Sequence, residues 1–352
     1  MRRSAILLAA LATACSLLGE QGGSPQGLPH GGTGQFRFLD QAETGVASAR
    51  ALMSTTDALD AAMMAGDRLF YATAPVLASP PMIPADLPAG DVFWGAFEPR
   101  RIHRGTRIDG ARGFLAGPEI LRAQETWEGT EIFDPWVVVL PDGRARLYYA
   151  AAGGIGVAEA PGVDGAFTRV GSAPIVGGGA RRPSVVRGAD DRFWMYYEGS
   201  GGIHASVSSD GLVFEPASPS PIALPFECPP VDAAATPCDL VESPEVGVGM
   251  PGAVRVETAA RARVRLYFES RREDGSRALY VAGTDDGVSF QRYRIAVLDA
   301  NDPRMPAPLV IDGRTTLLLT SARVGGSARE TRAYRLSVTP ASVRFAPLPE
   351  MP

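Results

Sequence analysis

Four steps in the chain set a residue directly before a proline and an apolar run: Asp134-Pro135, Arg182-Pro183, Met250-Pro251 and Met305-Pro306. Asp60-Ala61 occupies the same place ahead of AMMAGDRLFY, without the proline. Two carboxyl groups facing one bond, one protonated and one ionised, can do acid–base work. Arginine beside them changes that chemistry. A guanidinium is never a proton donor at working pH, and it keeps neighbouring carboxylates ionised. Asp60 and Asp134 next to Arg181 and Arg182 therefore suit recognition of a hydroxyl or an anionic group better than proton donation. Glu242-Ser243-Pro244-Glu245 offers further acids; Glu242 or Glu245 could swing over such a pocket, or the segment is an exposed acidic loop. Asp302-Pro303-Arg304 reads either as a ligand contact or as a loop cap.

What must position these residues is a set of strands. LFYAT (69–73), LYYAA (147–151), MYYEG (195–199), LYFES (266–270) and LLLTS (317–321) are apolar, β-prone segments, each downstream of one of the five steps. A turn signal recurs with them: TRIDGARGF ending at Phe114, VDGAF at Phe167, SSDGLVF at Phe214 and TDDGVSF at Phe290. Asp-Gly between apolar runs marks a hairpin, because glycine accepts the positive φ of a tight turn. The Phe beyond each turn is expected to anchor the returning strand in the core. Each unit reads as inner strand, second strand, third strand, Asp-Gly turn and outer strand. One four-stranded sheet cannot bury both its faces alone, whereas radial packing does so and leaves only short protected edges. The expected architecture is all-β, a five-bladed β-propeller of four-stranded antiparallel blades; two stacked sandwiches are the alternative that the unit count disfavours. Residues 46–65 are compatible with a helical turn before the first blade. In the propeller register Asp60, Asp134, Arg182, Met250 and Met305 form a ring around the funnel.

The order Asp134-Pro135, then Tyr148-Tyr149, then Ile155-Gly156-Val157-Ala158, then Ser-x-Asp-Gly-x-x-Phe resembles the five-bladed propellers of arabinanases, β-xylosidases, levansucrases and invertases, which are glycoside hydrolase family 43-like. The resemblance runs over roughly residues 57–345. It implies carbohydrate in the funnel, and a pair of carboxyl groups flanking the scissile bond if the chain is a hydrolase. It also implies a base at Asp60, an orienting acid at Asp134 and an acid Glu on the third blade. There the chain has Arg181-Arg182-Pro183, so the general-acid position is not matched. Trp94 and Trp127, in loops, are candidate sugar-stacking faces, whereas Trp194 falls inside a core strand. Arg271-Arg272 reads as a solvated hairpin turn.

The N-terminus has its own pattern. Arg2-Arg3, then AILLAALATA, then Cys15 is a basic segment followed by an apolar run too short to span a bilayer. Residues 1–14 are expected to be a signal peptide and Cys15 a lipidated N-terminus, with an ordinary A-x-A cleavage site as the alternative. Residues 15–35, rich in Gly, form a tether, and 36–352 a single propeller domain. Cys228 and Cys238 remain, and an even pair in an exported protein most simply forms a disulfide. No metal or cofactor is expected. The basic residues are all Arg, and a net charge of −5 with scattered charges excludes the basic surface that nucleic acid needs. The expected partners are a carbohydrate or glycan ligand and, through the lipid alone, a membrane, in the periplasm or at the cell surface. The protein is expected to be a monomer. The alternative function is a non-catalytic propeller scaffold for protein interaction at the envelope.

Overall fold

Short β-branched and aromatic runs separated by Gly, Pro and Asp leave little room for helix, and the chain folds accordingly. The computed structural model describes residues 41–53, 58–65, 68–74, 99–107, 114–115, 118–188, 190–224, 245–257, 262–292, 297, 302–311, 315–325 and 328–340. The first strands are β1 (Gln41–Met53), β2 (Ala58–Ala65), β3 (Arg68–Ala74), β4 (Arg101–Arg107), β5 (Phe114–Leu115) and β6 (Glu119–Leu121). A 3-10 turn, Thr126–Glu128, leads into β7 (Ile132–Val139), β8 (Ala145–Ala151), β9 (Gly154–Ala160) and β10 (Thr168–Arg169). The third unit is β11 (Arg181–Arg187), β12 (Phe193–Gly199), β13 (Gly202–Ser208) and β14 (Glu215–Pro216). The fourth is β15 (Glu245–Glu257), β16 (Ala262–Arg272), β17 (Arg277–Thr284) and β18 (Gln291–Arg292). The chain closes with β19 (Arg304–Ile311), β20 (Thr315–Gly325) and β21 (Ala328–Pro340).

These strands form five antiparallel sheets. Three are the four-stranded units β7–β10, β11–β14 and β15–β18. The first, β2–β5, carries the short extra strand β6 on β4. The innermost strands touch in the cycle β2, β7, β11, β15, β19 and back to β2, which is the closed wheel of a propeller.

Two features differ from the sequence expectation. Residues 46–53 and 58–65 are strand, not helix. The last sheet takes its outermost strand from the other end of the chain, in the order β1-β21-β20-β19. Gln41 pairs with Pro340 and Met53 with Thr331, so the wheel is fastened by its two ends. That fastening explains why the Asp-Gly turn and Phe occur in the first four units and not in the fifth. The last unit needs no hairpin to an outer strand, because β1 supplies it.

The repeated residues hold neighbouring blades together. The Tyr148 hydroxyl donates to the Gly211 carbonyl of the next blade at 2.9 Å, and the Tyr196 hydroxyl does the same to Gly287 at 3.0 Å. Phe214 meets Tyr148 edge-on, and Phe290 meets Tyr196 in the same way. Two of the turns are tied by their acids. Asp210 accepts from the Leu212 and Val213 amides, and Asp286 from those of Val288 and Ser289. Gly211 and Gly287, at φ 73° and 86°, supply the left-handed corner between them. Tyr148, Tyr149, Tyr196, Tyr267 and Phe268 are fully buried between the sheets, so β8, β12 and β16 are the packing spines of their blades. Trp194 is buried as its place in a strand implied.

Candidate functional site

Each innermost strand carries a β-bulge at the same place. On β7 the register passes from Phe133↔Ala150 to Trp136↔Tyr148, leaving Asp134-Pro135 opposite one residue. The same slip brackets Arg182-Pro183 on β11, Met250-Pro251 on β15, Met305-Pro306 on β19 and Asp60-Ala61 on β2. A bulge re-aims a side chain and tolerates proline, which has no N–H to give to the ladder. Asp134, Arg182, Met250 and Met305 all have positive φ, between 50° and 55°. Such a conformation costs a non-glycine residue about 1–3 kcal/mol and persists where the surroundings over-determine it. Four blades carry this strain at one level of the wheel, where it points side chains inward. The Pro-containing steps, with Trp136 and Ala307, line a cavity of about 30 Å³. That space suits one or two waters and is too small for a sugar ring.

Antiparallel topology puts the start of each first strand, the end of each second and the start of each third on one face. Register identifies what the second strands bring there. The residues paired with the position just before each bulge are Thr73, Ala150, Glu198, Glu269 and Ser321. Two of these are acids, from adjacent blades, and both are tied to arginine. Arg182 lies between Asp134 (Nη1 to Oδ1, 3.9 Å) and Glu198 (Nε to Oε2, 3.3 Å), and the Met250 amide donates to Glu198 at 3.1 Å. Arg181 approaches the other oxygen of Glu198 at 3.8 Å. On the next blade Arg277 donates to both oxygens of Glu269, at 3.2 and 3.4 Å, and approaches Asp302 at 3.7 Å. Arg304 donates to Asp302 at 3.0 Å. The face is thus built from alternating carboxylate and guanidinium groups.

Glu269 is the most enclosed of the acids, with 1% of its side chain exposed. Burial pushes its carboxyl above the usual range, against the pull of Arg277, Arg304, Arg182 and Arg271. It retains a proton more readily than an exposed glutamate does.

Trp127 sits in the 3-10 turn that precedes β7, half-buried, with its ring stacked over Tyr149 at 6.1 Å. The turn is pinned to the β8–β9 hairpin, where the Gly153 amide donates to the Trp127 carbonyl at 2.9 Å. This places the turn beside the β8–β9 hairpin, at the end of the second blade that carries the ring. Glu245 accepts from Arg292 at 2.8 Å and from the Ser270 hydroxyl, on its own blade. Asp60 stands at the bulge of β2. Trp94, Glu242, Cys15, Cys228 and Cys238 lie outside the described residues.

Sequence reasoning missed Glu198, Glu269 and Arg277. The signal was present: MYYEG and LYFES carry an acid at the same place in strands that are otherwise apolar. Arg271 is solvated, 42% exposed, but it lies in β16 and not in the turn, with its guanidinium 4.0 Å from Glu269.

No protein-family model matches the sequence, and no curated protein is significantly similar to it. Solved structures are similar in fold. An α-L-arabinofuranosidase of glycoside hydrolase family 43 from Clostridium thermocellum superposes with a TM-score of 0.54 at 16% identity, over 81% of this chain and 94% of that one. A family 43 enzyme from Xanthomonas citri complexed with xylose gives 0.55 at 15%, over 86% and 97%. A family 117 glycoside hydrolase from Zobellia galactanivorans gives 0.54 at 14%, over 85% and 91%. The chain therefore has the propeller fold that these glycoside hydrolases share.

Proposed function

We propose that this protein binds carbohydrate over the axial ring of its propeller, as an exported, envelope-anchored lipoprotein. One observation carries the reading: bulges at equivalent positions turn Asp134 and Arg182 inward, and Glu198 joins them into a carboxylate–guanidinium–carboxylate chain across two blades. Packing does not need polar groups at a strained bulge. Recognition of sugar hydroxyls does, because planar guanidinium and carboxylate groups present fixed donors and acceptors. Trp127 adds an aromatic surface at the same end of the second blade, and solved structures of this fold are sugar hydrolases, one holding xylose. Arginine at 181 and 182 stands where the resembled enzymes carry their acid, so the reading is binding first.

Export and anchoring rest on Arg2-Arg3, the short apolar run and Cys15. A disulfide between Cys228 and Cys238 follows from export. Labelling cells with a fatty-acid analogue tests the anchor, and label that survives Cys15→Ala would refute it.

The test of function is a glycan array probed with the mature protein and with Asp134→Ala. Binding by the wild type is expected, weakened at least about tenfold by the variant, which removes the carboxylate that faces Arg182. Failure of the wild type to bind any glycan would overturn the reading and favour the interaction scaffold.

A further inference from the structure

The arginines on this face differ in how they are committed. Arg182 is held by Glu198 and Asp134, Arg277 by Glu269 and Asp302, and Arg304 by Asp302. Arg181 and Arg271 have looser contacts and more solvent. Arg181 has 54% of its side chain exposed and comes no nearer Glu198 than 3.8 Å. Arg271 is 42% exposed, 4.0 Å from Glu269 and 3.5 Å from the Val248 carbonyl. Both side chains are more exposed than those of Arg182 (20%), Arg277 (25%) and Arg304 (28%), whose nearest carboxylates lie at 3.0–3.3 Å. The better geometry at Glu198 is taken by Arg182 and the Met250 amide, and at Glu269 by Arg277. The carboxylates already present are therefore occupied, and two guanidinium ends reach solvent from adjacent blades.

The strand between them is open. Gly247 and Gly249 occupy the start of β15. A Cβ at Gly249 would stand 2.6 Å from Glu198 Oε2 and 3.7 Å from Arg271 Nη2. At Gly247 it would stand 3.2 Å from Arg271 Nη2. Side chains there would fill the floor below Arg271 and beside the Glu198 carboxylate. Their absence leaves backbone under the Arg271 guanidinium and beside Glu198, the carboxylate that Arg181 approaches from the other side.

We propose that Arg181 and Arg271 clamp the carboxylate of an acidic sugar, so that the ligand of this face is a uronate-containing glycan. The proposal rests on the carbohydrate reading above and narrows it to a substrate class. A guanidinium presents parallel N–H donors that match the two oxygens of a carboxylate. A monoanionic carboxylate also fits a face that already holds Glu198 and Glu269, where a phosphate with up to two charges would meet stronger repulsion.

The experiment is calorimetric titration of the mature protein with an oligogalacturonate, its methyl ester, a neutral xylo-oligosaccharide and a sulfated oligosaccharide. The wild type, Arg181→Gln, Arg271→Gln and the double variant are compared, and a thermal melt confirms that each is folded. The oligogalacturonate is expected to bind most tightly, with affinity falling about tenfold for each single variant and about a hundredfold for the double. The methyl ester should bind the wild type about as weakly as the oligogalacturonate binds the double variant. Equal binding of neutral and acidic sugars, unaffected by either variant, would overturn the clamp and leave the carbohydrate reading standing. Tighter binding of the sulfated sugar would overturn the carboxylate assignment. Binding of none of the four would overturn the uronate proposal, while the array with Asp134→Ala decides the broader reading separately.

Discussion

Glu128 offers the sharpest test of how the face is held. It is fully buried in the 3-10 turn before β7 and accepts five hydrogen bonds from four groups. The Gln124 and Glu125 amides donate at 2.6 and 3.0 Å, the Tyr149 hydroxyl at 2.6 Å, and Arg169 through Nε and Nη2 at 2.7 and 2.9 Å. Glu128→Gln keeps the shape, removes the charge and turns an NH2 toward donors. Arg169, only 12% exposed, loses its partner. Breaking one side of a buried pair costs about 3–5 kcal/mol, and each stranded donor about 1–3 kcal/mol more, softened by the amide oxygen that still accepts. The expected loss is about 3 kcal/mol in urea unfolding, a large share of the 5–15 kcal/mol typical of a domain. Tyr149→Phe, which removes one donor, is expected to cost about 1 kcal/mol. The double variant Glu128→Gln/Arg169→Met should show a coupling of about 2 kcal/mol. The pH dependence has a definite sign. Burial raises the Glu128 carboxyl, but Arg169, Tyr149 and the two amides outweigh it and leave its pKa below the ordinary 4.5. Its contribution is therefore present above that value and lost as pH falls through the lowered one. A Glu128→Gln variant within 0.5 kcal/mol of wild type (roughly the scatter of surface substitutions), with additive double-mutant energies, would refute the reasoning.

Two further outcomes follow from the same geometry. Gly252→Ala puts a Cβ 2.0 Å from the Pro306 carbonyl oxygen of the neighbouring blade, backbone that cannot step aside, so a loss of about 3 kcal/mol is expected by urea unfolding; an unchanged midpoint would show that the blades separate freely there. Glu269, with its pKa raised, favours folding fully below the ordinary 4.5 and loses that contribution as pH rises through the raised value, so Glu269→Gln should flatten the stability profile in that window, and parallel profiles for the two proteins would contradict the burial argument.

The wheel was legible in the sequence because its determinants are local. An x-Pro step, a Tyr-rich strand and an Asp-Gly turn each act within a few residues, and their recurrence announces the unit and its repetition. Asp134 and Arg182 could be placed at equivalent positions for the same reason, since a bulge with proline is written in consecutive residues. Three things were decided only by tertiary structure. The pairing of Gln41–Met53 with β21 joins segments nearly three hundred residues apart, and no periodicity links them. Glu198 and Glu269 sit in otherwise apolar strands, and only the bulges, by setting the register, bring both to the ring face. The separation of committed arginines from available ones depends on angstrom differences across blade boundaries, 3.3 Å for Arg182 against 3.8 Å for Arg181 to the same carboxylate group. The same packing encloses Arg182, 20% exposed, and leaves Arg181 54% exposed, and a more enclosed ion pair is screened less by solvent. Residue spacing along a chain can state which charges exist, while only the packing of one blade against the next states which of them are already spent.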